Sequence, residues 1–193
     1  ITDAGYGDTG PIYRCGNCGF LQCSGFENVL SLYEEMDDVS YEETRNERAI
    51  QSQKLLKTIS NFKSEGRLLD VGAGSGILVQ EAIRLGYDAM GVEPSGPLQT
   101  TATELGIPVE RGSIPNQSIS GEFDIVTIID VLEHVTNPLG LIRNATDLLA
   151  PGGILVLVTP DCGSFMAKIM KWKWWHFRIA HVGYFNRETF ALI

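Results

Sequence analysis

Three closely spaced glycines that follow an acidic residue are the feature of this chain best suited to bind a ligand. The stretch LLDVGAGSGIL places Asp70 before Gly72, Gly74 and Gly76. Glycine permits sharp backbone turns and a close ligand approach because it has no Cβ, and the first N–H groups of a following helix lack partners within that helix. An acidic group two positions before the first glycine suits a ligand with an amine or a sulfonium.

A second acidic residue ends the next apolar run. Glu93 stands in GVEPS, 17 residues after Gly76, where a carboxylate can accept hydrogen bonds from both hydroxyls of a ribose. The dinucleotide pattern G-x-G-x-x-G would need glycine at position 77, and the chain has Ile77. A nicotinamide-dependent oxidoreductase is therefore the weaker alternative, and a nucleoside with a cationic tail is favoured.

Strand and helix patterns alternate around these residues. Short apolar runs bounded by glycine or proline predict five strands, at 67–71, 88–93, 107–111, 123–130 and 153–160. Such alternation is typical of parallel βαβ units. The predicted fold class is α/β: a doubly wound, Rossmann-like, mostly parallel sheet with helices on both faces.

Composition divides the chain into three parts. Residues 1–26 predict a small Cys-rich module, residues 27–62 a helical lead-in, and residues 63–193 the α/β core. The net charge of −9 argues against a nonspecific nucleic-acid partner, which needs a broad basic surface. Because the chain has no apolar run of 18 residues and no secretory signal, we expect a cytoplasmic protein without a membrane partner.

At its glycine-rich turn the sequence resembles the class I S-adenosylmethionine-dependent methyltransferases. Four stretches follow the order of the family's motifs over about residues 60–160, namely LLDVGAGSG, GVEPS, GEFDIVTIIDVLEHVTNP and LLAPGGILVLVTP. The resemblance implies methyl transfer to an oxygen or nitrogen of a small metabolite. YRCGNCGF and HVGYF also resemble a subgroup with an N-terminal cysteine pair, many of whose members act on sugars or nucleotide-linked sugars.

The resemblance implies a role for each matching residue. The turn from Gly72 to Gly76 would hold the methionine part of S-adenosylmethionine, with Asp70 near its ammonium group. Glu93 would hold the ribose. Ser113 stands where many relatives carry an acidic residue for the adenine amino group. Further cofactor contacts are implied at Pro94, Ser95, Asp130 and Val131.

Histidines near the ends of the core are the candidate acid–base groups. His134 lies in DVLEHV after the fourth core strand, and an imidazole pKa near 6.5 suits proton transfer at neutral pH. His181 and Tyr184, in HVGYF, are predicted to reach the acceptor from a C-terminal cover. A packing role for His134 is the competing interpretation.

Three cysteines near the start of the chain predict a structural zinc site. Cys15-x2-Cys18 has the spacing of a zinc knuckle, and Cys23 adds a third sulfur. The fourth ligand is not evident nearby, so a cysteine pair before Ile1 or a distant histidine would complete the site. Free buried thiols without a metal are the alternative.

The end of the chain leads to a prediction about its sheet. Class I folds normally add two strands after the fifth, so the resemblance implies a sheet that is incomplete at its C-terminal side. An apolar sheet edge invites pairing, so we expect either further C-terminal residues or another subunit of a homo-oligomer to cover it. A noncatalytic module that keeps the cofactor fold and regulates a partner is the remaining alternative.

Overall fold

The structure of the chain, a computed structural model, describes residues 11–23, 39–177 and 181–192. They belong to two compact units. The larger unit contains residues 30–129 and 141–157, and the smaller one contains residues 1–29, 130–140 and 158–193. The Cys-rich module expected at 1–26 and the helical lead-in expected at 27–62 lie partly outside the described residues.

Seven α-helices and eight strands follow one another in the described residues. The strands are β1 (Ile12–Arg14), β2 (Leu21–Cys23), β3 (Arg67–Val71), β4 (Asp88–Glu93), β5 (Val109–Arg111), β6 (Phe123–Ile129), β7 (Leu149–Val158) and β8 (Gly183–Tyr184). The α-helices are α1 (Val39–Glu43), α2 (Arg45–Ile59), α3 (Ile77–Arg84), α4 (Gly96–Glu104), α5 (Pro138–Thr146), α6 (Phe165–Met170) and α7 (Arg187–Phe190). Single 3-10 turns cover Leu132–His134 and Lys171–Lys173.

The larger unit is built on a five-stranded sheet in the order β5-β4-β3-β6-β7. Strand β3 pairs in parallel with β4 and β6, and β4 pairs in parallel with β5. This arrangement confirms the predicted Rossmann-like α/β fold. Because β3 is the central strand, the chain reverses its direction of winding there, and ligands of open α/β sheets bind at the carboxyl ends of the strands beside such a point.

Apolar side chains from strands and helices form the core of this unit. Leu68 and Ile125 from neighbouring strands are fully buried, and they share a cluster with Leu56 of α2 and Val79 of α3. Strands that are covered on both faces read as continuous apolar runs, which explains why the sequence marked β3 and β6 so clearly. Strand β7 begins at Leu149, four residues before the predicted start.

The smaller unit contains a three-stranded antiparallel sheet in the order β1-β2-β8. Strand β8 comes from HVGYF, a segment without the length or alternation that would have predicted a strand. Its neighbours are aromatic: the ring of Phe185 lies 5.0 Å from that of Phe20, between centroids. Among the described residues, no helix is both long and apolar enough to cross a membrane.

Candidate functional site

The turn after β3 is held against the neighbouring strand by its own backbone. The N–H groups of Gly72 and Ala73 both donate to the carbonyl oxygen of Val92 in β4, at 2.8 and 3.1 Å. Gly72, Gly74 and Gly76 all have positive φ angles, of 77°, 56° and 78°. That left-handed backbone strongly favours glycine, which explains why glycine stands at all three positions.

Glu93 joins this turn to the end of β4. Its Oε2 accepts from the N–H of Gly74 and its Oε1 from the N–H of Ser95, both at 2.7 Å. The carboxyl group is buried, which raises its pKa, while the two N–H donors and Arg111 oppose that rise. Each carboxylate oxygen has a second lone pair, so Glu93 can accept two further hydrogen bonds from a ligand.

Asp70 is a second buried carboxyl group beside the turn. Its Oδ1 accepts from the hydroxyl of Thr127 in β6 at 2.6 Å. Burial raises the pKa of Asp70 to about 7, with the Thr127 hydroxyl lowering it and the charge of Glu93 raising it. Burying a carboxylate without a countercharge costs folding free energy. Carboxyl groups with shifted pKa values of this kind cluster at functional sites.

Tyr41 of α1 lies directly over the glycine turn. A Cβ added to Gly74 would stand 2.6 Å from the Tyr41 hydroxyl oxygen. Burial raises the pKa of that hydroxyl, and the nearby Asp70 and Glu93 raise it further, so it remains a hydrogen-bond donor at neutral pH. The guanidinium carbon of Arg48 lies 4.2 Å from the centre of the Tyr41 ring.

Arg45 of α2 also reaches the turn. Its Nη1 donates to the Ser75 hydroxyl at 2.9 Å and pairs with Glu42 at 3.0 Å. Its Nη2 is buried and makes no hydrogen bond to any of the residues that the structure describes. A buried guanidinium nitrogen without an acceptor is costly, and a ligand carboxylate would satisfy it.

The remaining positions expected to contact a cofactor fall in both units. Ser95 is buried and caps α4, because its Oγ accepts from the N–H of Leu98. Ser113 is exposed just after β5. In the smaller unit, Asp130 has a φ of 52°, and its N–H donates to the carbonyl oxygen of Val158 at 2.9 Å. Pro94 and Val131 are each half-buried.

A second group of chemical side chains lies within the smaller unit. Nε2 of His134 is 4.0 Å from Oε1 of Glu133, and the rings of His134 and His181 meet edge to face with centroids 4.6 Å apart. Glu133 is only 2% exposed, and its Oε2 accepts from the Thr159 hydroxyl at 2.9 Å. A carboxylate in this position can orient an imidazole and stabilise its protonated form.

The same cluster has the composition of a metal site. One ligand atom from each of Glu133, His134 and His181 lies within 4.8 Å of the others. Carboxylate and imidazole ligands suit several divalent ions. The cluster can therefore act either as an acid–base group or as a set of metal ligands.

Tyr184 lies deeper in the smaller unit than His134. Its ring is 6.3 Å from that of His181 and 4.9 Å from that of Phe177, between centroids. Its hydroxyl is buried and has no hydrogen-bond partner within the described part of the chain. Burial raises its pKa, and Cys23 and Cys162 raise it further.

The cysteines separate into a pair and two single residues. Cys15 lies in a tight turn between β1 and β2, where the backbone N–H groups of Cys18 and Asn17 lower the pKa of its thiol. Cys23 is buried in β2 and approaches Tyr184 instead. Within the described ranges, no group of three potential ligand atoms lying within 4.8 Å of one another includes a cysteine.

Comparison with known proteins identifies the family. A methyltransferase-domain model matches residues 41–193, which is most of the chain. The chain belongs to the class I S-adenosylmethionine-dependent methyltransferases. It is 36% identical over 101 residues to the ubiquinone biosynthesis O-methyltransferase of Methylococcus capsulatus, a match that covers 48% of this chain and 43% of that protein. The corresponding protein of Caulobacter sp. is 37% identical, with coverages of 48% and 40%.

Solved methyltransferase structures share the fold. A possible histamine N-methyltransferase from Thermotoga maritima superposes with a TM-score of 0.62 at 23% identity, covering 86% of this chain and 75% of its own. An amino pentose methyltransferase from Micromonospora echinaspora gives 0.53 at 22% identity, with coverages of 64% and 57%. The chain spans less than half the length of the curated relatives that it matches.

Several residues that contact the glycine turn, Asp70 or His134 are not identified by any motif in the sequence. Tyr41 and Arg45 lie in the acidic lead-in, and Arg45 meets Ser75 across 30 positions of sequence. Thr127 reads only as part of an apolar strand, although it is the donor to Asp70. Among these residues, only Glu133 could have been identified from the sequence, because it stands next to the candidate base His134.

Replacing Gly74 with alanine should weaken cofactor binding by at least about tenfold, because the new Cβ would stand 2.6 Å from the Tyr41 hydroxyl and displace the side chain that covers the turn. Gly106→Ala is the matched control: Gly106 also has a positive φ, of 68°, but nothing lies within 4 Å of its Cβ position. Both variants should lose about 1–2 kcal/mol of folding free energy from backbone strain. Calorimetry with S-adenosylhomocysteine checks the difference, and equal binding by the two variants would contradict the steric argument.

Proposed function

We propose that this protein transfers a methyl group from S-adenosylmethionine to an oxygen atom of a small molecule. The observation that carries the proposal is the position of Glu93, whose buried carboxylate is fixed by the N–H groups of Gly74 and Ser95 between the ends of two parallel strands. Titration calorimetry with S-adenosylhomocysteine, and with NAD as the competing ligand, tests it. Binding of NAD in preference would overturn the proposal.

The polar groups of the larger unit match the parts of this cofactor. Glu93 is proposed to accept from the ribose hydroxyls and Asp70 from the ammonium group, while Tyr41 covers the turn. The buried Nη2 of Arg45 is proposed to donate to the methionine carboxylate, which would satisfy the nitrogen that the described residues leave without an acceptor. Adenine-side and strand-end contacts are proposed for Pro94, Ser95, Ser113, Asp130 and Val131.

Cofactor affinity should depend on pH through Asp70. Its folded-state pKa is raised to about 7, so below pH 7 the group is mostly neutral and must lose its proton before it can pair with an ammonium ion. The affinity for S-adenosylhomocysteine should therefore rise by about tenfold per pH unit from pH 5 to 7 and level off above pH 8. Calorimetry across this range measures the slope.

Asp70→Asn is the control for this pH dependence. The variant should bind more weakly at pH 8 and should lose most of the slope, since an amide does not titrate. Replacing the exposed Asp88 at the start of β4 with asparagine should leave the slope unchanged. A wild-type affinity that falls or stays level with rising pH would refute the role given to Asp70.

The cofactor supplies an electrophilic methyl group on a sulfonium, so the protein must mainly align the acceptor and remove its proton. We assign proton removal to His134, with Glu133 as the carboxylate that orients it at 4.0 Å. His134 is half-buried, whereas His181 is only 3% exposed, so His134 has the better access to an incoming acceptor. His181 and Tyr184 are proposed to line the acceptor side within the same unit.

The choice of oxygen as the acceptor atom rests on the curated relatives, which are named as O-methyltransferases. Their names do not support the sugar acceptor that the N-terminal cysteine pair had implied. A panel of acceptors with sugar hydroxyls, aromatic hydroxyls and amines distinguishes these classes. Cofactor binding without transfer to any acceptor would favour a noncatalytic module.

A structural zinc ion is proposed for the N-terminal hairpin, with Cys15 and Cys18 as two of the four ligands that a closed site needs and the other two outside the described residues. Cys15 and Cys18 lie in one tight turn, and the N–H groups that lower the Cys15 pKa would also stabilise a metal-bound thiolate. Such thiols must stay reduced, which fits the proposed cytoplasmic location. Metal analysis should give one zinc per chain in the wild type and none in Cys15→Ser. A wild-type protein without zinc would contradict the assignment.

A further inference from the structure

One surface of the smaller unit has no part in the proposed chemistry. It consists of Phe165, Met166, Lys168, Ile169, Lys171 and Lys173, here called the α6 surface. Phe165, Met166 and Ile169 are exposed to 76%, 46% and 59%. Helical spacing places these three on one side of α6, while Ala167 is buried on the other side.

Positive charge surrounds these exposed apolar side chains. Lys168, Lys171 and Lys173 are all exposed, and the sequence has no acidic residue between Asp161 and Glu188. The whole chain carries a net charge of −9, so this segment is positively charged in a protein that is negatively charged overall. Trp175, two residues further on, is 38% exposed, and tryptophan favours the boundary between water and lipid.

We propose that the α6 surface docks the protein on an anionic lipid surface. The apolar side chains would enter the boundary between headgroups and acyl chains, while the lysines pair with negative headgroups, as in amphipathic interfacial segments. The inference goes beyond methyl transfer and does not depend on it.

Co-sedimentation of the full chain with lipid vesicles tests the proposal. We expect binding to vesicles that contain phosphatidylglycerol and much weaker binding to pure phosphatidylcholine. High salt should reduce the binding, because it screens the lysines. The double variant Phe165→Ser/Ile169→Ser and the triple variant Lys168→Gln/Lys171→Gln/Lys173→Gln should each bind at least about tenfold more weakly.

Matched controls lie in the larger unit. Phe62 is 74% exposed and Lys54 and Lys57 are exposed on α2, so Phe62→Ser and Lys54→Gln/Lys57→Gln should leave vesicle binding unchanged. Affinity for S-adenosylhomocysteine should be unchanged in all of these variants, which separates this test from that of the proposed function. Equal binding to neutral and anionic vesicles, or equal losses in the controls, would overturn the proposal. The proposal would also be overturned if the wild-type protein bound no vesicles and instead formed a dimer that the Phe165→Ser/Ile169→Ser substitutions dissociate.

Discussion

Glu93→Gln should weaken the binding of S-adenosylhomocysteine by about a hundredfold, which corresponds to about 2.7 kcal/mol. The amide removes the charge that strengthens hydrogen bonds from the ribose hydroxyls. The NH2 group of the amide would also face the N–H of either Gly74 or Ser95. One of the two hydrogen bonds that the carboxylate now accepts at 2.7 Å would therefore be lost. Calorimetry at constant pH measures the loss.

Two companion variants separate charge from folding. Glu110→Gln removes a carboxylate from β5, where Glu110 is exposed and pairs in register with Val92, and it should bind the cofactor as the wild type does. Glu93→Asp keeps the charge but withdraws it by one methylene, and it should bind with intermediate affinity. If Glu93→Gln melts at the wild-type temperature and binds S-adenosylhomocysteine normally, Glu93 does not hold the ribose.

His134→Gln should lower kcat by about a hundredfold to ten-thousandfold while leaving the affinity for S-adenosylhomocysteine unchanged. Glutamine preserves a polar side chain of similar reach but cannot take up a proton. Glu133→Gln should give a smaller loss in kcat, because Glu133 acts through the imidazole at 4.0 Å. Steady-state kinetics with an acceptor found in the panel, combined with calorimetry, measures both effects.

The pH profile distinguishes a base from a packing residue. The acid limb of kcat should disappear in His134→Gln, because glutamine cannot take up the proton that a general base removes. A packing role would lower stability without changing the shape of the profile. If EDTA abolishes activity and a divalent ion restores it, the cluster of Glu133, His134 and His181 binds a metal, and the assignment of His134 as a free base is wrong.

The glycine turn and the carboxyl groups beside it were largely predictable because local sequence determines them. Gly72, Gly74 and Gly76 mark a turn that needs left-handed backbone, and Glu93 follows a strand that reads as apolar. Both features are short-range consequences of backbone geometry and burial. Strands β3 and β6 were predictable for the same reason, since most of their residues are apolar and buried.

Contacts between distant parts of the chain could not be predicted. Arg45 and Ser75 meet across 30 positions and Asp70 and Thr127 across 57, and neither pair has a spacing rule that a sequence pattern could reveal. The net charge of −9 argued against a nonspecific nucleic-acid partner, and the absence of a long apolar run argued against a membrane partner. Charge is a sum over all residues, however, whereas a docking surface depends on which lysines and apolar side chains are exposed together.

The sequence by itself determined the α/β fold, the glycine turn and the two carboxylates beside it, because hydrophobic periodicity and glycine's conformational freedom act over a few residues. Only the tertiary structure decided that Tyr41 covers the turn, that burial, Thr127 and Glu93 together shift the pKa of Asp70, and that Cys23 lies near Tyr184. Those outcomes depend on which side chains are brought together from distant segments, and packing alone selects them.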